Sequence, residues 1–418
     1  MKRRLLPILM TLVLVCALPI WAAFVTSGDV TNPLLTTADA ALPDLQAKID
    51  AAADNATITL DSDTTITETL VITGKTLTLD LNGCTLRMTG TGSVLKVSGR
   101  ATLTITDSSA EGTGTITGGN AGDAGDGGGV YVEAYATLEM TGGCITGCRA
   151  EDGGGVYIDN NATLKMTGGC ITDCHASYGG GGIYSYEELY LGGTAKIEKC
   201  TSKWGSDDAI WNRESCNIYA DGGTVDGTVN NQGTIRLSEG AAAETVFNGT
   251  VYNRSAGTII AGRYNEAVEN NGTITGGTFW GTVTNKKSAW GNESGKISGG
   301  TFAVRFDTGD GTKPEPTLVE HNRTVRPPSD PEKSGHTFVG WYLGDEKYNF
   351  DTPVTAPLTL KAKWEKVPSS GGYYYYPTTD TKADDAKGSP KTADPGVALY
   401  GVLSLLSLTG LTCTTKKR

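Results

Sequence analysis

Residues 140–148 read MTGGCITGC, and residues 166–174 read MTGGCITDC. The phrase returns after 26 residues, and the spacing persists around it. Cys148, Cys174 and Cys200 are 26 apart, as are Ile145, Ile171 and Ile197. GGGVYV at 127–132 becomes GGGVYI at 153–158 and GGGIYS at 180–185. The last copy slips by one residue, and the slip is lost again before Ile197. Such an insertion is expected in a loop, where it leaves the strands undisturbed. Inside each copy the apolar period is two: the flanking residues of Val130-Tyr131-Val132 face one way and Tyr131 the other. Glycine pairs such as Gly142-Gly143 separate the short strands and supply corners that side chains with a Cβ resist.

One copy, with about three short strands, cannot close a core alone, but stacked copies bury each other's apolar faces. This predicts a parallel β-helix whose rungs lie about 4.8 Å apart. The alternation extends upstream through TITLDSDTTITETLVITGKTLTLDLNGCTLRM (57–88) and downstream through GTVNNQGTI, GTVYNRSAGTI and NGTITGGTFWGTVTN with more variable spacing. The expected solenoid occupies 41–302, with roughly ten rungs and a length of about 48 Å. In LPDLQAKIDAAA (42–53), Leu42, Leu45 and Ile49 share one helical face, so this segment is expected to cap the first rung. These features resemble the right-handed parallel β-helix proteins of the pectate-lyase-like class.

Residues 303–366 carry no rung repeat. Val304, Phe306, Pro331, Gly335, Phe338-Val339-Gly340-Trp341-Tyr342, Phe350, Val354, Leu358, Leu360, Ala362 and Trp364 resemble the Listeria–Bacteroides repeat, the B-repeat of internalin-type surface proteins. The resemblance implies a small β-rich, ubiquitin-like module that serves display or adhesion. Phe338, Trp341 and Trp364 are read as its core, because so short a domain needs large aromatics to hold a fold. The stretch 367–388 is a flexible linker by composition, and Tyr373 to Tyr376 within it have no assigned role.

The ends of the chain place it outside a cell. MKRRLLPILMTLVLVCALPIWAA (1–23) has a cationic start and an apolar run, as a signal peptide or an uncleaved signal anchor has. At 389–418, Ser389-Pro390-Lys391-Thr392-Ala393 precedes an apolar segment, 397–415, and a basic tail. That order resembles the sortase sorting signal of Gram-positive surface proteins, with Ser389 in place of Leu and Ala393 in place of Gly. It implies sortase as processing partner, cleavage between Thr392 and Ala393, and attachment of Thr392 to peptidoglycan. A plain membrane anchor is the alternative.

Composition narrows the partners. The formal charge is −11; without 1–23 (net +3) and 393–418 (net +2) it becomes −16. Such a surface repels phosphate backbones, so nucleic acid is not expected as a partner. The 57 glycines and the low share of charged residues suit a turn-rich β protein. Neither cofactor nor metal is expected: Asp123, Asp126 and Asp152 match no calcium loop, and the glycine triplets lack the Lys and Ser or Thr of a phosphate loop.

Three sets of residues remain as candidate sites. Register places Tyr131, Tyr157 and Tyr184 in one outward column, which reads either as a glycan platform or as a cross-rung ladder that stabilises the sheet. Cys144 with Cys170, and Cys148 with Cys174, lie within disulfide reach across one rung; stacked free thiols and a four-thiolate metal site are the alternatives. With nine cysteines, seven after removal of Cys16 and Cys413, at least one thiol lacks an intramolecular partner. Asp207 and Asp208 look a little like the paired aspartates of polygalacturonases, but the matching Gly-His-Gly segment is missing. The chain therefore reads as a monomeric surface protein, an adhesin for a glycan or host surface without catalysis. A polysaccharide-active enzyme and a structural spacer are the alternatives.

Overall fold

The computed structural model describes residues 45–203, 207–287 and 295–368. The expected signal segment 1–23, most of the linker 367–388 including Tyr373 to Tyr376, the motif Ser389 to Ala393 and the apolar segment 397–415 lie outside them. Among the described residues no helix is long and apolar enough to cross a membrane.

The chain winds as a parallel β-helix. Short strands stack in three columns, and like residues stand over like. On the first face Leu77, Leu103, Leu138, Leu164 and Leu189 align rung by rung, and Ile218, Ile235, Ile259 and Ile274 continue the column. On the second face Leu86, Ile116, Ile145, Ile171, Ile197 and Val225 align in the same way. The column then turns aromatic with Phe247, Tyr264, Phe279 and Phe302, whose successive ring centroids are 5.0, 4.9 and 5.5 Å apart. The third face is a sheet of ten strands among the described residues. All three columns point into one continuous apolar core, and that shared burial is the main stabilising term.

Helix Leu45–Ala51 closes the first end and buries Leu45 and Ile49. Gln46 fixes it to the edge of the third face by exchanging hydrogen bonds with the main chain of Val71, at 2.7 and 3.0 Å. The one-residue slip between the GGGVY copies falls in a strand rather than a loop. Ala150 pairs with Ala176, but Asp152 pairs with Gly179, so His175–Gly179 takes up the extra residue as a bulge. This strand, with Arg149–Asp152 and Thr201–Ser202, forms a small extra sheet beside the third face. The glycine triplets allow close rung stacking there: a methyl group at Gly128 or Gly154 would strike a main-chain carbonyl of a neighbouring rung.

A second ladder replaces aliphatic packing on the third face. Val97, Val132 and Ile158 align, followed by Ser185 and then by Asn212, Asn231, Asn253, Asn270 and Asn285. Each asparagine donates Nδ2–H to the Oδ1 of the next, at 2.8, 2.8, 2.8 and 2.9 Å. The second amide proton serves the turn that follows, as from Asn253 Nδ2 to Gly257 O at 3.2 Å. These buried amides are worth keeping only because they are satisfied. Asn212 Oδ1, at the end where Ser185 breaks the series, has no partner among the described residues.

The small module is joined without a hinge. Strand Thr301–Asp307 begins as the last rung, with Phe302 over Phe279, and continues as the first strand of the module, with Val304 beside Leu358. Thr317–Glu320 then runs antiparallel to its first half and covers the open edge of the solenoid. Phe306, Trp341, Phe338 and Trp364 pack edge-to-face inside the module.

Replacing Asn253 by Ala removes two links of the amide ladder, to Asn231 and to Asn270, and leaves the buried Asn270 Oδ1 bare, so it should lower stability by about 2–3 kcal/mol. Tyr252→Ala, one residue away and facing outward, should cost less than about 1 kcal/mol. Urea denaturation midpoints compare the two.

Candidate functional site

The tyrosine column is formed in register, and one more residue belongs to it. Tyr131, Tyr157, Tyr184 and Trp211 stand over each other on the outer side of the third face. Their ring centroids are 5.2, 5.8 and 6.2 Å apart, with planes within 11° of parallel. The column does not form the exposed platform that outward register suggested. Tyr157 is 8% exposed and Tyr184 only 1%. The rings present their faces to one another, and a sugar ring needs such a face to stack on. Tyr186 leans on both Tyr157 and Tyr184, at 5.8 and 5.5 Å. The Arg213 guanidinium donates to Tyr184 Oη at 3.2 Å and lies over the Tyr186 ring. At the upper end Tyr131 donates to Asp159 Oδ2 at 3.2 Å, and the Lys96 ammonium lies 5.5 Å from its ring centroid. The arrangement is a laterally covered ladder. Trp211 was legible in principle, since Ile210-Trp211-Asn212 repeats the alternation of Ile183-Tyr184-Ser185 after 27 residues.

Carboxylates gather beside this ladder. Burial, then the charges of Asp126 and Glu151, push the Asp152 carboxyl up to about 7, against the Gly179 N–H that donates to it and the nearby Arg213. Burial also raises Asp126. Among the described residues no cluster of acidic, histidine or cysteine side chains is arranged to hold a metal ion.

The cysteines divide by the direction in which they point. Cys144 and Cys170 are register partners, half-buried on the outside of the second face, and are joined as a disulfide with Cα atoms 4.5 Å apart. The second candidate bridge, Cys148–Cys174, is not formed. Gly147 and Asp173 adopt positive φ, +64° and +54°, and turn the next residue into the core. Cys148, Cys174 and Cys200 therefore sit buried at one corner. There Cys174 and Cys200 donate to Thr172 O and Glu198 O, both at 3.3 Å. Hydrogen bonding with the flanking Cys148 and Cys200 sulphurs, and then burial, raise the Cys174 thiol well above its ordinary value, so it is held protonated.

The adjacent aspartates have separate surroundings. Asp208 is 2% exposed and accepts from Gly180 N–H at 2.9 Å and from Asn230 Nδ2 at 3.3 Å. Asp207 is exposed and lines a shallow groove with Asp226 and Glu266. Two carboxylates that flank one bond must reach a common cleft, and Asp208 is committed to holding two rungs together. On the first face, Glu139 pairs with Lys165 at 3.4 Å as an ordinary surface ion pair. Further along the same outward column Tyr190 and Tyr219 stack at 4.2 Å, and both phenols donate to Glu188.

A cleft that sequence reasoning did not find lies between the last rungs and the module. It measures about 730 Å³, and its walls include Trp280, Arg305 and Tyr348. Nothing in the spacing of these residues announces it, because it depends on how the module folds back against the solenoid.

Residues 302–363 match the Listeria-Bacteroides repeat domain. Two curated relatives from Evansella cellulosilytica are similar over short stretches. One, provisionally named a membrane protein, is 36% identical over 67 residues, which are 15% of this chain and 10% of the relative. The other, provisionally named a Gly-rich membrane protein, is 32% identical over 91 residues, or 18% and 10%. This chain thus spans about a tenth of the length of the curated relatives it matches.

Asp152 gives a test of the acidic cluster. Its folded pKa of about 7 exceeds the ordinary carboxyl value of about 4. The folded state therefore holds more protons than the unfolded chain between about pH 4 and pH 7, and stability should fall as pH rises through that window. Thermal melts should show a lower Tm at pH 8 than at pH 5. Asp152→Asn should flatten the dependence, leaving the smaller contributions of Asp126 and Asp208.

Proposed function

We propose that the chain is a cell-envelope surface protein that binds, as an adhesin does, and that its β-helix is a non-catalytic scaffold. The observation that carries this reading is the shared strand Thr301–Asp307. It makes the solenoid and a module of a bacterial surface-repeat type one rigid piece, suited to holding a binding surface in a fixed orientation. The membrane-protein names of the two relatives support an envelope location. The ladders of stacked rings and amides support the scaffold role, since they commit side chains to holding rungs together. The pectate-lyase-like likeness is then one of architecture, and architecture does not fix activity.

Attachment is assigned to Ser389 to Ala393, processed by sortase and joined through Thr392 to peptidoglycan. Pro390→Ala should move the protein from the wall fraction to the membrane fraction of lysed cells. An unchanged distribution would favour plain anchoring by 397–415.

The purified chain should bind members of a glycan array, or a host-surface protein, without releasing reducing or unsaturated ends from polysaccharides. Turnover that is lost in Asp207→Asn would overturn the non-catalytic reading. Silence in both assays would favour a spacer.

A further inference from the structure

A ridge stands at the corner where the third face gives way to the first. The turns from Val97 to Thr102, Val132 to Thr137 and Ile158 to Thr163 are equal in length and stack in register. Their neighbours are shorter: Ile72 to Thr76 by one residue on one side, and Ser185 to Glu188 by two on the other. The three turns therefore project beyond the rest of the corner. Each is closed by a main-chain hydrogen bond of 3.0 Å, donated by Ala101, Ala136 or Ala162. The residues just before these alanines are Arg100, Tyr135 and Asn161, with φ of +64°, +67° and +59°. Such backbone suits glycine or asparagine, and among the described residues Tyr135 is the only aromatic that adopts it. Packing does not repay the strain. Tyr135 is 55% exposed, and the Arg100 guanidinium, 4.9 Å from the ring centroid, is its one ring contact among the described residues. Residues held against their backbone preference gather at ligand sites.

The surroundings of the ring select a ligand class. Arg100 backs one face from the preceding rung. The other face turns toward the rung of Asn161, an exposed side chain that ends where a tyrosine ring begins and so leaves that face to solvent. Beyond Asn161 the shorter turn forms a step. An open aromatic face takes the C–H side of a pyranose, and a primary amide beside it both donates to and accepts from hydroxyls. The nearby charges are occupied. Glu133 pairs with Lys96 at 3.3 Å, and Asp159 accepts from Tyr131 and Asn160. That weighs toward a neutral sugar. We propose that the open face of Tyr135 binds a neutral pyranose of a surface glycan, with the Asn161 amide on its hydroxyls and Arg100 steadying the ring from behind. This deepens the adhesin reading and rests on it.

The test uses the full chain, labelled with ¹⁵N, and the neutral probes chitotetraose, lactose and mannotriose. The Asn161 side-chain amide resonances are identified by their loss in Asn161→Ser, and at least one probe should shift them. Tyr135→Phe should keep the affinity within about threefold, whereas Tyr135→Asn should weaken it more than about tenfold. The melting temperature of Tyr135→Asn should hold or rise by up to about 3 °C, because asparagine takes this backbone conformation at less cost. A tyrosine kept for stability would lose melting temperature on that change. The proposal is overturned if no neutral probe shifts the Asn161 resonances, if Tyr135→Asn leaves the affinity unchanged or lowers the melting temperature, or if only a peptide or an acidic sugar binds the ridge. A glycan-array signal that survives Tyr135→Asn would sink this site while leaving the adhesin reading intact. Silence of the unaltered chain toward glycans and host-surface proteins alike would sink both.

Discussion

The parallel hydrogen bonding of one rung onto the next is the constraint that everything else obeys. It places equivalent residues about 4.8 Å apart along the whole solenoid. Any residue type that gains from meeting its own kind is then rewarded: leucine over leucine on the first face, aromatic over aromatic on the second, amide over amide on the third. The same constraint excludes what cannot be stacked. A corner between rungs has no room for a Cβ, and the glycine triplets follow from that.

Stacking also consumes what it organises. A ring lying flat on its neighbour spends both faces on the solenoid and offers only its edge to a ligand, and an asparagine whose amide bridges two rungs has no proton left for a substrate. The tyrosine column and Asp208 are spent in this way on holding neighbouring rungs together. Where the repeat stops, at the junction with the module, Arg305, Trp280 and Tyr348 line a cleft instead.

How much was legible in the sequence follows the strictness of the spacing. Between 127 and 200 the 26-residue period fixes register, and with it the Cys144–Cys170 pairing and the tyrosine column. Direction at the corners was not legible, because it depends on single residues such as Gly147 and Asp173 with positive φ. Of the readings open for Cys148 and Cys174, it is the stacked free thiols rather than the bridge that stand there. Downstream the period shrinks from copy to copy, and the asparagine ladder went unseen although Val-x-Asn recurs at 229–231, 251–253, 268–270 and 283–285. Exposure was the least legible property of all. Alternation says which side of a strand a residue occupies, but not that Tyr186 and Arg213 lie over Tyr184.

The shared strand has a mechanical consequence. Thr301–Asp307 enters the module from the solenoid side, and Leu358–Lys366, the last strand of the module, lies parallel to it. A pull between the solenoid and the far end of that last strand loads the hydrogen bonds between the two strands along their length. They must slide past each other and break together, instead of peeling one at a time. The geometry is that of a clamp, placed where tension in a tethered molecule would enter its rigid part.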